Sequence, residues 1–146
     1  MEADKSTDFD KMSAFARRHH VMTLATVGAE GRPWVAHAFY AWVPGGRWFV
    51  FMNNPATRHG AEMAACPRVA AAIALETRAV GRLQGLQIEG AVRLAEGGEL
   101  EAARRAYLRR FPFAVVMEQA IWILEPGLMK FTDNTLGFGK KLIWTK

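Results

Sequence analysis

Cysteine is nearly absent, with Cys66 alone in 146 residues. A single thiol excludes an intrachain disulfide framework and any zinc or iron–sulfur centre built on cysteines. It also suits a reducing compartment, so the cytoplasm is the expected address. Long hydrophobic runs are missing too. Gly, Pro, Arg or Glu breaks every apolar stretch before the roughly 18 residues that a membrane span needs. The opening segment, MEADKSTDFDK, is acidic and polar, which is not the pattern of a signal peptide. There is no internal repeat, low-complexity tract or Ser/Pro-rich linker, and the length suits one domain over residues 1–146.

Catalytic signatures are equally sparse. No HExxH, GxSxG elbow, phosphate-binding Walker loop or strand-linked GxGxxG occurs. The four histidines, His19, His20, His37 and His59, lack partners at ligand spacing, so no metal site is expected. Acid is in short supply. Nineteen Lys and Arg face 14 Asp and Glu, giving +5, and four of the acids (Glu2, Asp4, Asp8, Asp10) lie in the first ten residues with one lysine. The remainder carries 18 basic against 10 acidic side chains, or +8. Such a body favours an anionic partner, whether nucleic acid, an acidic membrane surface or a phosphorylated small molecule.

What the chain does have is hydrophobic residues, at 51%, with aromatics at 11%. Their spacing gives an order of elements. A helix is expected over residues 8–19, with Phe9, Met12, Phe15 and Ala16 on one stripe and acids at its start. Residues 21–27 (VMTLATV) read as a strand that turns through GAEGRP into a second, residues 33–43, and PGG leads to a third, residues 47–53. A short helix capped at Asn54, Pro55 or Thr57 and stopped by Pro67 follows. Residues 69–76 (VAAAIALE) suit a buried strand, although the alanines equally suit a helix. Residues 83–94 form a strand whose Gly85 and Gly90 suggest a bend or bulge. Residues 99–111 are the clearest helix, with Arg104, Arg105, Arg109 and Arg110 on its outer face. Residues 121–124 and 128–132 read as two strands around the turn Glu125-Pro126-Gly127. The expected fold is mainly β with a few helices: a small barrel of roughly six strands.

One segment carries candidate chemistry. Thr57, Arg58 and His59 open a helix just after a strand, so free backbone N–H groups, the helix dipole, a hydroxyl and a guanidinium converge on one point, as a phosphate requires. The plainer reading is a capped surface helix with solvated charges. His37, mid-strand among apolar residues, reads more readily as a hydrogen-bonded core histidine than as a catalytic base. The helix arginines are either a nucleic-acid footprint or a solvated face supported by Glu101 and Arg105 at i, i+4. The strand aromatics, Trp34 among them, are core candidates, and some of them would wall a slot for a flat ligand.

The sequence FVFMNN, then PATRHGAEMAACPRVAAAI, then GRLQGLQIEG, resembles the pyridoxamine 5′-phosphate oxidase-like family of FMN-binding split barrels. The tail KFTDNTLGFGKKLIW resembles its small bacterial YhbP-type subfamily. The resemblance implies a homodimer of split barrels with FMN in clefts at the interface. By motif it assigns Thr57, Arg58 and His59 to the phosphate and places Met52 and Asn53 at the strand end. It lays His37, Ala38 and Phe39 along the isoalloxazine ring and puts Gln84 at the family's glutamine. Two departures stand out. His59 replaces the usual lysine, and the tail lacks the arginine motif that the vitamin B6 oxidases use for substrate.

The resemblance therefore implies an FMN-dependent oxidoreductase acting on an unidentified small molecule, with no catalytic residue assigned, because the flavin itself supplies the reactivity. Membrane and nucleic acid are not the expected partners. The alternatives are a non-catalytic flavin or nucleotide binder and a basic nucleic-acid-binding protein.

Overall fold

The computed structural model describes residues 2–117 and 119–146. Helix α1 (Glu2–Arg18) leads into strands β1 (Val21–Val27), β2 (Pro33–Val43) and β3 (Trp48–Asn53), then α2 (Arg58–Ala65). Strands β4 (Arg68–Ala74) and β5 (Gln84–Leu94), helix α3 (Gly97–Arg110), and strands β6 (Ala120–Asp133) and β7 (Lys141–Thr145) complete the chain. The sheet order is β3-β2-β1-β4-β5-β6-β7, and β3 also pairs with β6. Six antiparallel strands thus close into a barrel with β7 as an extra strand, as the expected split barrel requires. No helix among the described residues is long and apolar enough to cross a membrane.

The interior is packed. Leu24, Tyr40, Phe49, Phe51, Ile73, Leu86 and Phe131 are fully or almost fully buried and form one cluster with Met12 and Phe15 of α1. Two hydrogen bonds fix α1 to the barrel: the Tyr40 hydroxyl donates to the Ala16 carbonyl (2.6 Å) and Trp42 Nε1 to Ser13 Oγ (2.7 Å). A second cluster lies outside the wall, where Ala103 and Tyr107 of α3 and Phe111 just after it cover Ala41, Val50, Ile121 and Ile123.

Three readings change and one open reading is settled. The first helix starts at Glu2 and stops at Arg18, leaving His19 in the link to β1. The segment 69–76 resolves as a strand, its burial alternating strictly over Arg68–Ala74. Glu125-Pro126-Gly127 is not a hairpin turn, because Ala120–Asp133 is one continuous strand of 14 residues. Its register against β5 slips there, Glu89 facing Leu128 and Gly90 facing Pro126, so Gly127 is the extra residue of a bulge. Proline and glycine, read as a turn, serve equally well where a strand bends without giving up its ladder.

Arg110 is the third change. It does not join the solvated face, because its guanidinium donates to the carbonyls of Tyr40 (3.2 Å), Arg17 (3.0 Å) and His19, tying the end of α3 to the α1–β1 link. Arg104, Arg105 and Arg109 are exposed, and no ion pair joins Glu101 to Arg105 among the described residues.

Gly90 is required at the bulge, since a Cβ there would collide with the Glu125 carbonyl oxygen. Gly90→Ala should cost about 1–3 kcal/mol in urea unfolding. Gly127→Ala, whose new methyl would have 3.8 Å to its nearest neighbour, should cost less than about 1 kcal/mol. Equal losses for the two would contradict this reading of the bulge.

Candidate phosphate cradle at the start of helix α2

The cradle begins where β3 ends. Asn53 is buried, and its Oδ1 accepts from Trp122 Nε1 (2.7 Å) on the strand that closes the barrel. Its Nδ2 is buried with no partner among the described residues, and it faces the first turn of α2, 3.0 Å from where a Cβ on Gly60 would stand.

Asn54 then folds the chain back. Its side chain accepts from Ala56 N (2.9 Å), and its carbonyl accepts from Thr57 N (3.0 Å) and the Thr57 hydroxyl (2.8 Å). Thr57 is the helix cap, in extended conformation, with Oγ1 accepting from Gly60 N at 3.2 Å. This settles which residue caps α2. The N–H groups of Arg58 and His59 are left without a partner among the described residues.

Arg58 is held on two sides. Its Nε donates to Glu62 Oε1 (2.8 Å), one turn on, and its Cζ lies 4.1 Å from the centroid of the Trp34 ring. That leaves the two terminal amino groups as the open end of the fork. Glu62 is itself fixed, since the buried Thr26 hydroxyl donates to its Oε2 at 2.8 Å. The carboxylate also fits against Gly28, where a Cβ would come within 2.9 Å of Oε1. The bond from Arg58, with that from Thr26, holds the Glu62 carboxyl below its ordinary range. Burial pushes the His59 imidazole down, more than Glu62 raises it, which disfavours its charged form.

Glu62, Thr26 and the role of Trp34 were missed from sequence. The i, i+4 spacing of Arg58 and Glu62 on α2 was the available signal. Trp34, a core candidate, is 42% exposed beneath the guanidinium.

The other expected residues lie elsewhere. Met52 and Asn53 are neighbours on a strand and point to opposite faces. Met52 turns outward into a cavity of about 460 Å³ bordered by Arg104, Leu108, Ala114 and Gln119. On β2, Ala38 packs against the barrel core, while His37 and Phe39 face out. His37 is therefore exposed and not a core histidine; its polar neighbour is Thr23, with Oγ1 3.3 Å from Nδ1. Phe39 meets Phe111 at 5.4 Å between centroids.

Gln84 opens β5 opposite Asp133. Although burial opposes it, hydrogen bonds from Thr135 and Gln84 keep the Asp133 carboxyl low. Through β4, the level of Thr26 and Trp34 corresponds to that of Gly90, six residues from Gln84, or roughly 20 Å along the strands. One chain alone does not bring Gln84 to the cradle. A cavity of about 650 Å³ lies on the outer wall among Ala25, Ala70, Gly90, Pro126 and Gly127 and contains none of the expected residues.

Because Thr57 satisfies an otherwise open N–H of α2, Thr57→Ala should cost about 1 kcal/mol in denaturant unfolding, and Thr57→Ser should recover most of it. No loss in the alanine variant would show that the cap is not formed in solution.

Comparison with known proteins agrees with this architecture. The sequence profile of the family described as Pyridoxamine 5′-phosphate oxidase matches residues 9–132. The UPF0306 protein YhbP of Salmonella paratyphi B is 41% identical over 140 residues, covering 94% of this chain and 95% of that protein. A solved structure of a heme binding protein from Mycobacterium smegmatis superposes with a TM-score of 0.82 at 25% identity, covering 94% of this chain and 57% of that one. A FAD-binding protein from Mesorhizobium loti shares the fold at a TM-score of 0.69 and 14% identity, over 83% and 91% of the two chains. By the profile and by the YhbP relative, this chain belongs to the pyridoxamine 5′-phosphate oxidase family.

Proposed function

We propose that the protein binds a flavin, FMN being the one its family resemblance names, and serves as a flavin-dependent oxidoreductase for a small molecule. The observation that carries this reading is the cradle. Two N–H groups without partners at a capped helix start, a guanidinium with its terminal amino groups open, and the orphaned Asn53 amide fit the oxygen-rich end of a phosphorylated ligand. A bound flavin would supply hydride transfer, and the protein's own task would be to bind and orient it. The terminal amino groups of Arg58 and the open N–H groups of Arg58 and His59 would hold the phosphate, with Thr57 positioning them as the cap because its hydroxyl proton goes to the Asn54 carbonyl, and the exposed His37 and Phe39 would flank the ring.

The separation of Gln84 from the cradle favours two copies. The outer wall exposes Val35 (59%) and Phe39 (51%) near the small residues Ala70, Ala72 and Ala74 of β4, two strands away across β1, an apolar surface of the kind that marks an interface. Two chains packed on this wall would let each contribute residues to the other's cleft.

One observation favours a second reading, haem. His37 turns Nδ1 toward Thr23, which leaves Nε2 open on an exposed wall in the manner of an oriented metal ligand. The Mycobacterium smegmatis protein is described as heme binding.

Arg58→Ala should weaken flavin affinity by about ten- to a hundredfold in a calorimetric titration, since a charge-assisted hydrogen bond contributes roughly 1.5–3 kcal/mol. Unchanged affinity would remove the phosphate from the cradle. Phe39→Asp should turn a dimer into a monomer in sedimentation and lose flavin with it. A monomeric parent protein that still holds flavin would overturn the two-copy site.

A further inference from the structure

The charge around Arg58 bears on which phosphate the cradle takes. Arg58 is the one cation in the hydrogen bonds and ion pairs of the cradle among the described residues, and Glu62 neutralises it at 2.8 Å. Thr26 holds that carboxylate by a hydrogen bond, and Gly28 leaves the space that it occupies, so it is built in and not an accident of a flexible surface chain. Burial disfavours the charged form of His59, where a lysine would carry a fixed charge. The nearby Glu30–Arg32 pair in the β1–β2 turn cancels itself.

What remains positive is the start of α2, worth about half an elementary charge. A terminal phosphate monoester carries about −1.5 to −2 at pH 7, whereas each phosphate of a diester or diphosphate bridge carries one negative charge. The fork meanwhile retains its geometry. With Glu62 on Nε and Trp34 against its face, Arg58 presents two terminal amino groups already oriented, suited to two oxygens of one phosphate.

We infer that the cradle is built for a singly charged phosphate, as in the diphosphate bridge of a flavin dinucleotide, in preference to the doubly charged phosphate of FMN. Glu62 and Thr26 are positioning residues: they orient Arg58 and set its net charge without touching the ligand. The inference rests on the reading that the cradle holds a flavin's phosphate, and it changes which flavin is favoured.

The test titrates the full chain, freed of carried-over flavin, with riboflavin, FMN and FAD by calorimetry. The parent protein should bind FAD at least as tightly as FMN, and both about tenfold or more tighter than riboflavin. Glu62→Gln and His59→Lys each add positive charge, and each should move the FMN-to-FAD affinity ratio about tenfold toward FMN. Thr26→Val loosens Glu62 but leaves its charge, so both affinities should fall while their ratio stays. A merely structural role for Glu62 would weaken both ligands alike in Glu62→Gln and leave the ratio unmoved, which would overturn the inference. A parent protein that prefers FMN tenfold would overturn it as well.

If no flavin binds, the flavin reading falls on its own. The charge claim is then decided by phenyl phosphate and diphenyl phosphate, followed through the Arg58 Nε–H NMR signal. A larger response to the diester upholds it, and a larger response to the monoester, or none to either, overturns it.

Discussion

Barrel closure by β6 is the constraint on which the rest depends. This single strand pairs with β3 through its first five residues, with β5 along most of its length and with β7 near its end. A straight strand does not serve three partners in diverging directions. The bulge at Gly127, opposite a glycine that lets the two backbones approach, bends β6 enough to close the wall. Closure places Trp122 beside β3, where it fixes the Asn53 side chain and with it the turn into α2. The cradle is therefore positioned by the same strand that completes the fold.

A second level of organisation is electrostatic and local. Two arginines do opposite work. Arg110 is spent on main-chain carbonyls that join α3 to the end of α1, and partial burial lowers its pKa only against the opposing pull of Tyr40. Arg58 keeps its terminal amino groups open, anchored by a carboxylate and an indole. The chain is basic overall, yet at the one place where a phosphate would sit the charge is nearly balanced. Overall charge thus says little about the local field that a ligand meets.

Much of the fold could be read from sequence because local signals agreed with the final structure. Alternation and β-branched residues marked β1 and β2 to the residue, and Gly90 marked where β5 meets a bulge, although the extra residue, Gly127, lies on β6 and Gly85 sits in regular register. The readings that changed were those where one chemistry serves two structures. Pro126-Gly127 marks a turn or a bulge, and only the partner strand decides. His37 sits among apolar residues in sequence but faces outward, because strand neighbours point to opposite faces. Within the cradle, Thr57 and Arg58 could be proposed from their place after a strand. The Trp34 platform and the Thr26 anchor come from a different hairpin, and only tertiary packing brings them to α2.

The central claim is that this barrel carries a flavin, and the most direct measurement is the visible absorption spectrum of the protein after incubation with flavin and removal of the excess by gel filtration. The account predicts the two flavin bands at about one equivalent per chain, diminished in Arg58→Ala. A protein that stays colourless with flavin, or one that instead develops a haem Soret band that is lost in His37→Ala, would contradict it.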